Sequence, residues 1–142
     1  FCYTALIWAS IKGSLKVVEE LLKHQKIDVI IKNIDGYTAL IYASYKGYIK
    51  IVKELLISDD IILNLKDKDG YTALIWASYN GHLDIVKELL KRDDIDLNIK
   101  DNDDKDFFDH LKNNQKEVII IKEFPEQYQK YLIGKKASKY NI

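Results

Sequence analysis

The sequence predicts an all-α repeat protein, a solenoid of helix-turn-helix units joined by β-turn and hairpin-like loops. Three observations carry that expectation. The stretch GYTALIYASYKG from Gly36 to Gly47 returns 34 residues later as GYTALIWASYNG from Gly70, and an earlier copy, CYTALIWASIKG, opens at Cys2. The next segment repeats at the same spacing, as SLKVVEELLK from Ser14, YIKIVKELLI from Tyr48 and HLDIVKELLK from His82. A looser third segment stays in register: KIDVIIKNID, DIILNLKDKD and DIDLNIKDND. Self-similarity at a period of this length marks stacked repeats, because so short a unit cannot bury its own apolar stripe and needs its neighbours to do so.

Each unit opens on a threonine, Thr4, Thr38 or Thr72, which is a good N-cap for the Ala-Leu-Ile run behind it. Gly13, Gly47 or Gly81 then closes this first helix in the left-handed conformation. The second helix carries apolar residues in adjacent pairs four apart: Val17, Val18, Leu21 and Leu22, then Ile51, Val52, Leu55 and Leu56, then Ile85, Val86, Leu89 and Leu90. That stripe is wider than a surface helix shows. Its opposite face offers the pairs Lys16–Glu20, Glu19–Lys23, Lys50–Glu54 and Glu88–Arg92, which read as a solvated surface. The connecting segment mixes alternating Ile, Leu and Val with Asn-Ile-Asp-Gly or Asp-Lys-Asp-Gly, a strand-and-turn signal.

A fourth unit is fainter. DKDFFDHLKNNQKEVIIIKEF from Asp104 replaces Gly-Tyr-Thr by Asp104, Lys105 and Asp106 but keeps Phe107, Phe108 and Leu111 on an apolar side. Val118, Ile119, Ile120 and Ile121 are expected to cover the end of the stack, as an atypical terminal repeat should. Pro125 can start a last helix with Tyr128, Tyr131 and Leu132 on one side, Gly134 as its stop, and Lys135, Lys136 and Lys139 in a loose tail. The expected divisions are 1–35 (an N-terminally incomplete repeat), 36–69, 70–103, a degenerate capping repeat at 104–124, and a C-terminal helix with basic tail at 125–142.

Composition narrows the function classes. A chain of 142 residues can bury roughly 68–70% of its unfolded surface in one domain. Its 22 acidic and 22 basic residues balance, which argues against a general polyanion binder. No apolar run approaches the roughly 18 residues needed to span a bilayer. The lone Cys2 has no internal disulfide partner and suits a reducing compartment. The absence of Met and the start inside a repeat lead us to expect a fragment of a longer protein with more repeats upstream.

The units resemble ankyrin repeats. Tyr37-Thr38-Ala39-Leu40-Ile41-Tyr42-Ala43 sits where that family writes Thr-Pro-Leu-His-x-Ala. Gly81-His82-Leu83-Asp84-Ile85-Val86-Lys87-Glu88-Leu89-Leu90 matches its Gly-His-Leu-x-Ile-Val-x-x-Leu-Leu, and Asp96-Leu97-Asn98 and Asp67-Lys68-Asp69-Gly70 match its Asp-Val-Asn and Asp-x-x-Gly. The resemblance runs from Phe1 to about Phe124. Departures matter too. Ala5, Ala39 and Ala73 replace the family's Pro, and Ile7, Ile41 and Ile75 replace its His, so apolar packing must substitute for that ring's hydrogen bonds. The Gly expected after the second helix gives way to Gln25-Lys26, Asp59-Asp60 and Asp93-Asp94.

No catalytic constellation emerges. His24, His82 and His110 play different positional roles and read as structural or solvated, and Cys2 has no triad-like partner. Asp94-x-Asp96-x-Asn98 begins like a calcium loop, but Ile99 and Lys105 stand where that loop needs Gly and Glu. Gly134-Lys135-Lys136 lacks the rest of a phosphate loop. We expect a non-enzyme without cofactor or metal.

The resemblance implies a protein partner held on a concave face built from turn tips and the exposed side of the first helices, in a monomer inside the cell (the cytoplasm, or a host's cytosol if the source is a parasite, symbiont or virus). Small-molecule substrates and membranes are not implied, and neutral charge opposes nucleic acid. By alignment, Tyr3, Tyr37 and Tyr71 form one column, Ile11, Tyr45 and Tyr79 a second, and Lys12, Lys46 and Asn80 a third. Ile34, Asp35, Lys68, Asp69, Asn102 and Asp103 occupy the turn tips. The tyrosines fit either partner contact or packing along the stack. Trp8, Tyr42 and Trp76 are expected in inter-repeat core, and the lysines Lys32, Lys66 and Lys100 in a ridge neutralised by Asn33, Asp67 and Asp101. A structural spacer for another domain is the alternative role, with nucleic-acid binding behind it.

Overall fold

The computed structural model describes residues 4–24 and 26–140, so Phe1, Cys2, Tyr3, Gln25, Asn141 and Ile142 lie outside the described residues. The chain folds into α1 (Ala5–Ile11), α2 (Leu15–Leu22), α3 (Ala39–Lys46), α4 (Ile49–Leu55), α5 (Ala73–Tyr79), α6 (Leu83–Leu89), α7 (Phe107–Asn113), α8 (Glu117–Glu123) and α9 (Pro125–Tyr140). Helices α1, α3, α5 and α7 pack side by side in one layer, and α2, α4 and α6 form the layer behind it.

Local chemistry explains the helix ends. The hydroxyls of Thr4, Thr38 and Thr72 each accept the amide N–H three residues on, at 3.2 Å. Asp106 takes this role in the fourth unit, where it accepts from Phe108 and Asp109 while Asp109 reaches back to its amide in a capping box. Gly47 closes α3 at φ 79°, a conformation that costs an L side chain dearly. The second helices end without any such residue. In α4 the last turn tightens through Ile57 N–H to Glu54 O (3.2 Å) and Ser58 N–H to Leu55 O (3.3 Å), and Arg92 of the next unit donates to Leu56 O at 3.1 Å. A neighbouring repeat thus satisfies the carbonyl that a capping glycine would otherwise serve.

The core lies between the layers. Ile7, Ile41 and Ile75 are each 1% exposed, so apolar packing fills the position where the family's histidine would stand. The apolar stripe of the second helices is not evenly buried. Ile85, Val86, Leu89 and Leu90 are all buried, whereas Val17 is 49% exposed.

Several expectations need correction. Among the described residues no strand forms, only an isolated antiparallel bridge between Lys100 and Asp106. The connecting segments instead make turns, and the turn tips bond across units through Lys68 N–H to Asp35 O and Asn102 N–H to Asp69 O, both at 3.0 Å. Gly36 belongs to this contact, because at φ 86° a Cβ there would lie 2.8 Å from the Asp67 Cα. The four helix-surface ion pairs read from the sequence are replaced by Lys23–Glu20 (2.6 Å), Lys91–Glu88 (2.8 Å) and the inter-repeat Lys87–Glu123 (2.6 Å), while Arg92 turns to Asp94. Long side chains at an exposed surface choose among near-equal partners, each worth about 0–1 kcal/mol.

At the C-terminal end Ile120 is buried but Val118 and Ile119 are exposed, so α8 covers little by itself. Helix α9 does more. Tyr131, 2% exposed, packs its ring on Phe107 and Phe108 at 5.8 and 5.1 Å. Gly134 does not stop this helix, which runs on to Tyr140 and carries Lys135, Lys136 and Lys139 within it instead of in a loose tail. A Cβ at Gly134 would meet the end of the exposed Asn98 side chain, which would have to swing aside. Lys135 folds back to Asp106 (3.0 Å) and to the Tyr131 hydroxyl. Burial opposes its charge, but those two oxygens hold its pKa above the ordinary lysine range.

Candidate functional site

Asn33, Asp67 and Asp101 hold equivalent places in successive turns, and each is only 6–7% exposed. One side-chain oxygen of each accepts two backbone N–H groups: Asn33 from Asp35 and Tyr37, Asp67 from Asp69 and Tyr71, Asp101 from Asp103 and Lys105, all within 2.8–3.0 Å. The remaining side-chain atom reaches a ring nine residues on. Asn33 Nδ2 donates to the Tyr42 hydroxyl (3.2 Å), Trp76 Nε1 donates to Asp67 Oδ2 (2.7 Å), and His110 Nε2 meets Asp101 Oδ2 at 2.8 Å. A carboxylate can only accept, so the Nε2 of His110 carries the hydrogen.

The donor and acceptor of each pair are thus matched. The amide of Asn33 donates to a phenol, and the carboxylates of Asp67 and Asp101 accept from an indole and an imidazole N–H. Burial pushes the Asp101 carboxyl up, but the amides of Lys105 and Asp103 and the His110 ring outweigh it and leave it below its ordinary value. These three residues are thus turned inward, not spread along a self-neutralising ridge. Lys32 instead donates to the Lys66 carbonyl of the next unit at 2.7 Å, and Lys100 pairs with Asp104. Sequence reasoning missed the pairing, although its signal was present: the letters change together, nine residues apart, in three units.

The pairing has a thermodynamic consequence. Asp67→Asn keeps the oxygen that serves the turn but points an N–H at the Trp76 N–H, and should cost about 1–3 kcal/mol. With Trp76→Tyr the same change recreates the Asn33–Tyr42 arrangement and should cost far less. Urea denaturation of the two single variants, the double variant and wild type should give a coupling energy of about 1 kcal/mol or more. Additive effects would contradict the pairing.

Held this way, the rings form a column along the stack. Tyr42 stacks on Tyr37 (centroids 4.6 Å), Tyr37 tilts over Trp76 (6.1 Å), Trp76 stacks on Tyr71 (4.5 Å), and Tyr71 tilts over His110 (5.6 Å). Tyr45 meets Trp76 edge-on at 4.8 Å, and Tyr79 does the same to Tyr71 at 6.0 Å. Burial first, then the carboxylates nearby, push the Tyr71 phenol up to about 12, and burial with Asp67 raises that of Tyr37 as well. Both hydroxyls therefore stay protonated as donors at neutral pH.

The column corrects one expectation. Trp8, Tyr42 and Trp76 are inter-repeat core only in part: Trp8 is 47% exposed, while Tyr42 and Trp76 are half-buried and pack against the edge of the core. An indole N–H needs an acceptor, which the turn carboxylate supplies and an aliphatic core does not. His82 lies elsewhere, its ring packed on Gly47 and its Nε2 3.2 Å from the Tyr45 carbonyl, a link between repeats.

Of the positions singled out by sequence, Tyr3 is outside the described residues. Tyr37, Tyr45 and Tyr71 are half-buried in or beside the column, Tyr79 is 51% exposed, and Ile11 packs partly against the core. Ile34, Asp35, Lys68, Asp69, Asn102 and Asp103 are exposed at the turn tips, and Lys12, Lys46 and Asn80 at the ends of the first helices. Lys12 and Lys46 lie over the rings of Trp8 and Tyr45, at 5.5 and 5.1 Å. A cavity of about 260 Å³ opens between Tyr71, Trp76, Tyr79, Asp69, Asn102 and Asp103.

Among the described residues no group of three or more His, Cys, Asp or Glu side chains is placed to hold a metal ion, and no helix is long and apolar enough to cross a membrane. A family model for ankyrin repeats matches residues 6–101 in three copies. No curated protein matches the chain.

Proposed function

The chain belongs to the ankyrin-repeat family, whose members generally act in protein–protein interaction, and from that premise we propose that it binds a partner protein without chemistry, on the face that carries the ring column. The observation that carries this reading is Tyr79. It is half-exposed beside a cavity, yet it is positioned by edge contacts to Tyr71, Trp76 and His110, whose own places are fixed by buried carboxylates. A rigid aromatic surface loses little entropy on binding. In this reading units 1–35, 36–69 and 70–103 carry the face, while 104–124 and 125–142 close its end. The protein acts as a monomer inside the cell, in an adaptor or effector-like role.

The test is affinity capture with wild type and with Tyr79→Ser, after circular dichroism has shown equal helicity and melting. We expect a protein captured by wild type to be lost, or retained at least tenfold less, with the variant. Capture that is equal for both proteins counts against the face. Capture by neither supports the spacer role instead.

A further inference from the structure

Two units build the same framework and complete it differently. In the second unit the chain supplies its own cations. Lys46 lies over the Tyr45 ring at 5.1 Å, and Lys68 sits 3.7 Å from the Asp35 carboxylate. In the third unit the equivalent positions are Asn80 and Asn102. Both amides are turned to backbone, Asn80 Nδ2 to Trp76 O at 3.1 Å and Asn102 Nδ2 to Lys68 O at 2.9 Å. Asp69 and Asp103 remain, and among the described residues neither has a cationic partner. Nor does any lysine of the described residues lie over the rings of Tyr71, Trp76 or Tyr79.

We propose that the cavity between Tyr71, Trp76, Tyr79, Asp69 and Asp103 receives a basic side chain, arginine or lysine, from the partner protein. The inference rests on the protein-binding reading above and names the chemistry that the partner brings. Three arguments support it. The cavity is about 260 Å³, room for the end of a long side chain. Aromatic walls and two unpaired carboxylates attract the same thing, a cation with an apolar stem, and a guanidinium adds planar stacking. The second unit shows what this framework does with a lysine when the chain provides one. The carboxylate of Asp101 is not available for the task, because His110 and two amides already engage it.

The experiment uses the 142-residue chain labelled with nitrogen-15. The chain has two tryptophans, Trp8 and Trp76, and hence two indole N–H signals, which Trp8→Phe assigns. The probes are the capped peptide Gly-Ser-Arg-Ser-Gly and its counterpart with neutral citrulline in place of arginine. We expect the Trp76 signal to move saturably with the arginine peptide, with the citrulline peptide binding about tenfold more weakly or worse. The double variant Asp69→Asn, Asp103→Asn should weaken arginine binding by a similar factor. Asn102→Lys, which copies the second unit, should weaken it too by filling the site from within. These positions are exposed, so the melting curves should stay close to wild type.

Equal binding of both peptides, or a Trp76 signal that neither peptide moves, would overturn the proposal. Its failure is distinguishable from that of the wider reading. A captured partner that is lost with Tyr79→Ser but retained by Asn102→Lys and by the aspartate double variant leaves the face intact and removes the cation. Arginine binding that obeys the variants, with capture indifferent to Tyr79, does the reverse.

Discussion

Replacing His110 by alanine is expected to destabilise the protein by about 3 kcal/mol, the upper end of the range for taking one partner from a buried hydrogen-bonded pair. The His110 side chain is 3% exposed and that of Asp101 0%, so solvent has little room to replace the lost donor. The loss also removes the last ring of the column, which Tyr71 and Tyr79 contact at 5.6 and 5.4 Å. Chemical denaturation measures the effect. A loss below about 1 kcal/mol would mean that Asp101 finds another partner and that the pair is not what holds the fourth unit on the third.

The same variant carries a pH signature. In wild type the folded carboxyl of Asp101 lies below its ordinary value, since the amides of Lys105 and Asp103 and the ring of His110 outweigh its burial. A depressed carboxyl contributes stability that is present above the unfolded value, roughly pH 4, and is lost as pH falls through the folded value. Without His110, burial remains and one opposing hydrogen bond is gone. The Asp101 part of the acid loss should therefore be smaller in the variant and complete at higher pH, as followed by circular dichroism in denaturant between pH 2 and 7. An unchanged acid limb would assign the depression to the amides alone.

Leu55→Ala is the second large effect, at about 2–5 kcal/mol for a fully buried leucine. Leu55 is 0% exposed on α4, which packs against α2, α3 and α6. In a stack, stability is close to a sum of unit energies and nearest-neighbour contacts. A cavity in an inner unit therefore weakens contacts on both sides, and urea unfolding should broaden or split as well as shift. Val17→Ala provides the contrast. Its column also holds Ile51 and Ile85, which are 2% and 0% exposed, but Val17 itself is 49% exposed. Its change should fall within about 0.5 kcal/mol. Equal losses for Leu55→Ala and Val17→Ala would contradict the burial described here.

By itself the sequence determined the repeat of 34 residues, the threonine caps, the glycine that closes α3 and the apolar seam between the layers. These features depend on residues no more than a few positions apart and are written several times over, so chance resemblance cancels. The tyrosine columns were legible as positions, but their arrangement was not. Whether Asn33, Asp67 and Asp101 face solvent or turn inward depends on a ring brought close only when the turn folds against the helix. Whether Val17 or Ile85 is buried depends on which helix lies beside it, which a periodic pattern does not contain. Gly134 makes the point most plainly. Glycine costs a helix about 1 kcal/mol relative to alanine and reads locally as a stop. Tertiary structure reverses that reading, because burying Tyr131 against Phe107 and Phe108 holds α9 against the stack and carries the helix on past Gly134.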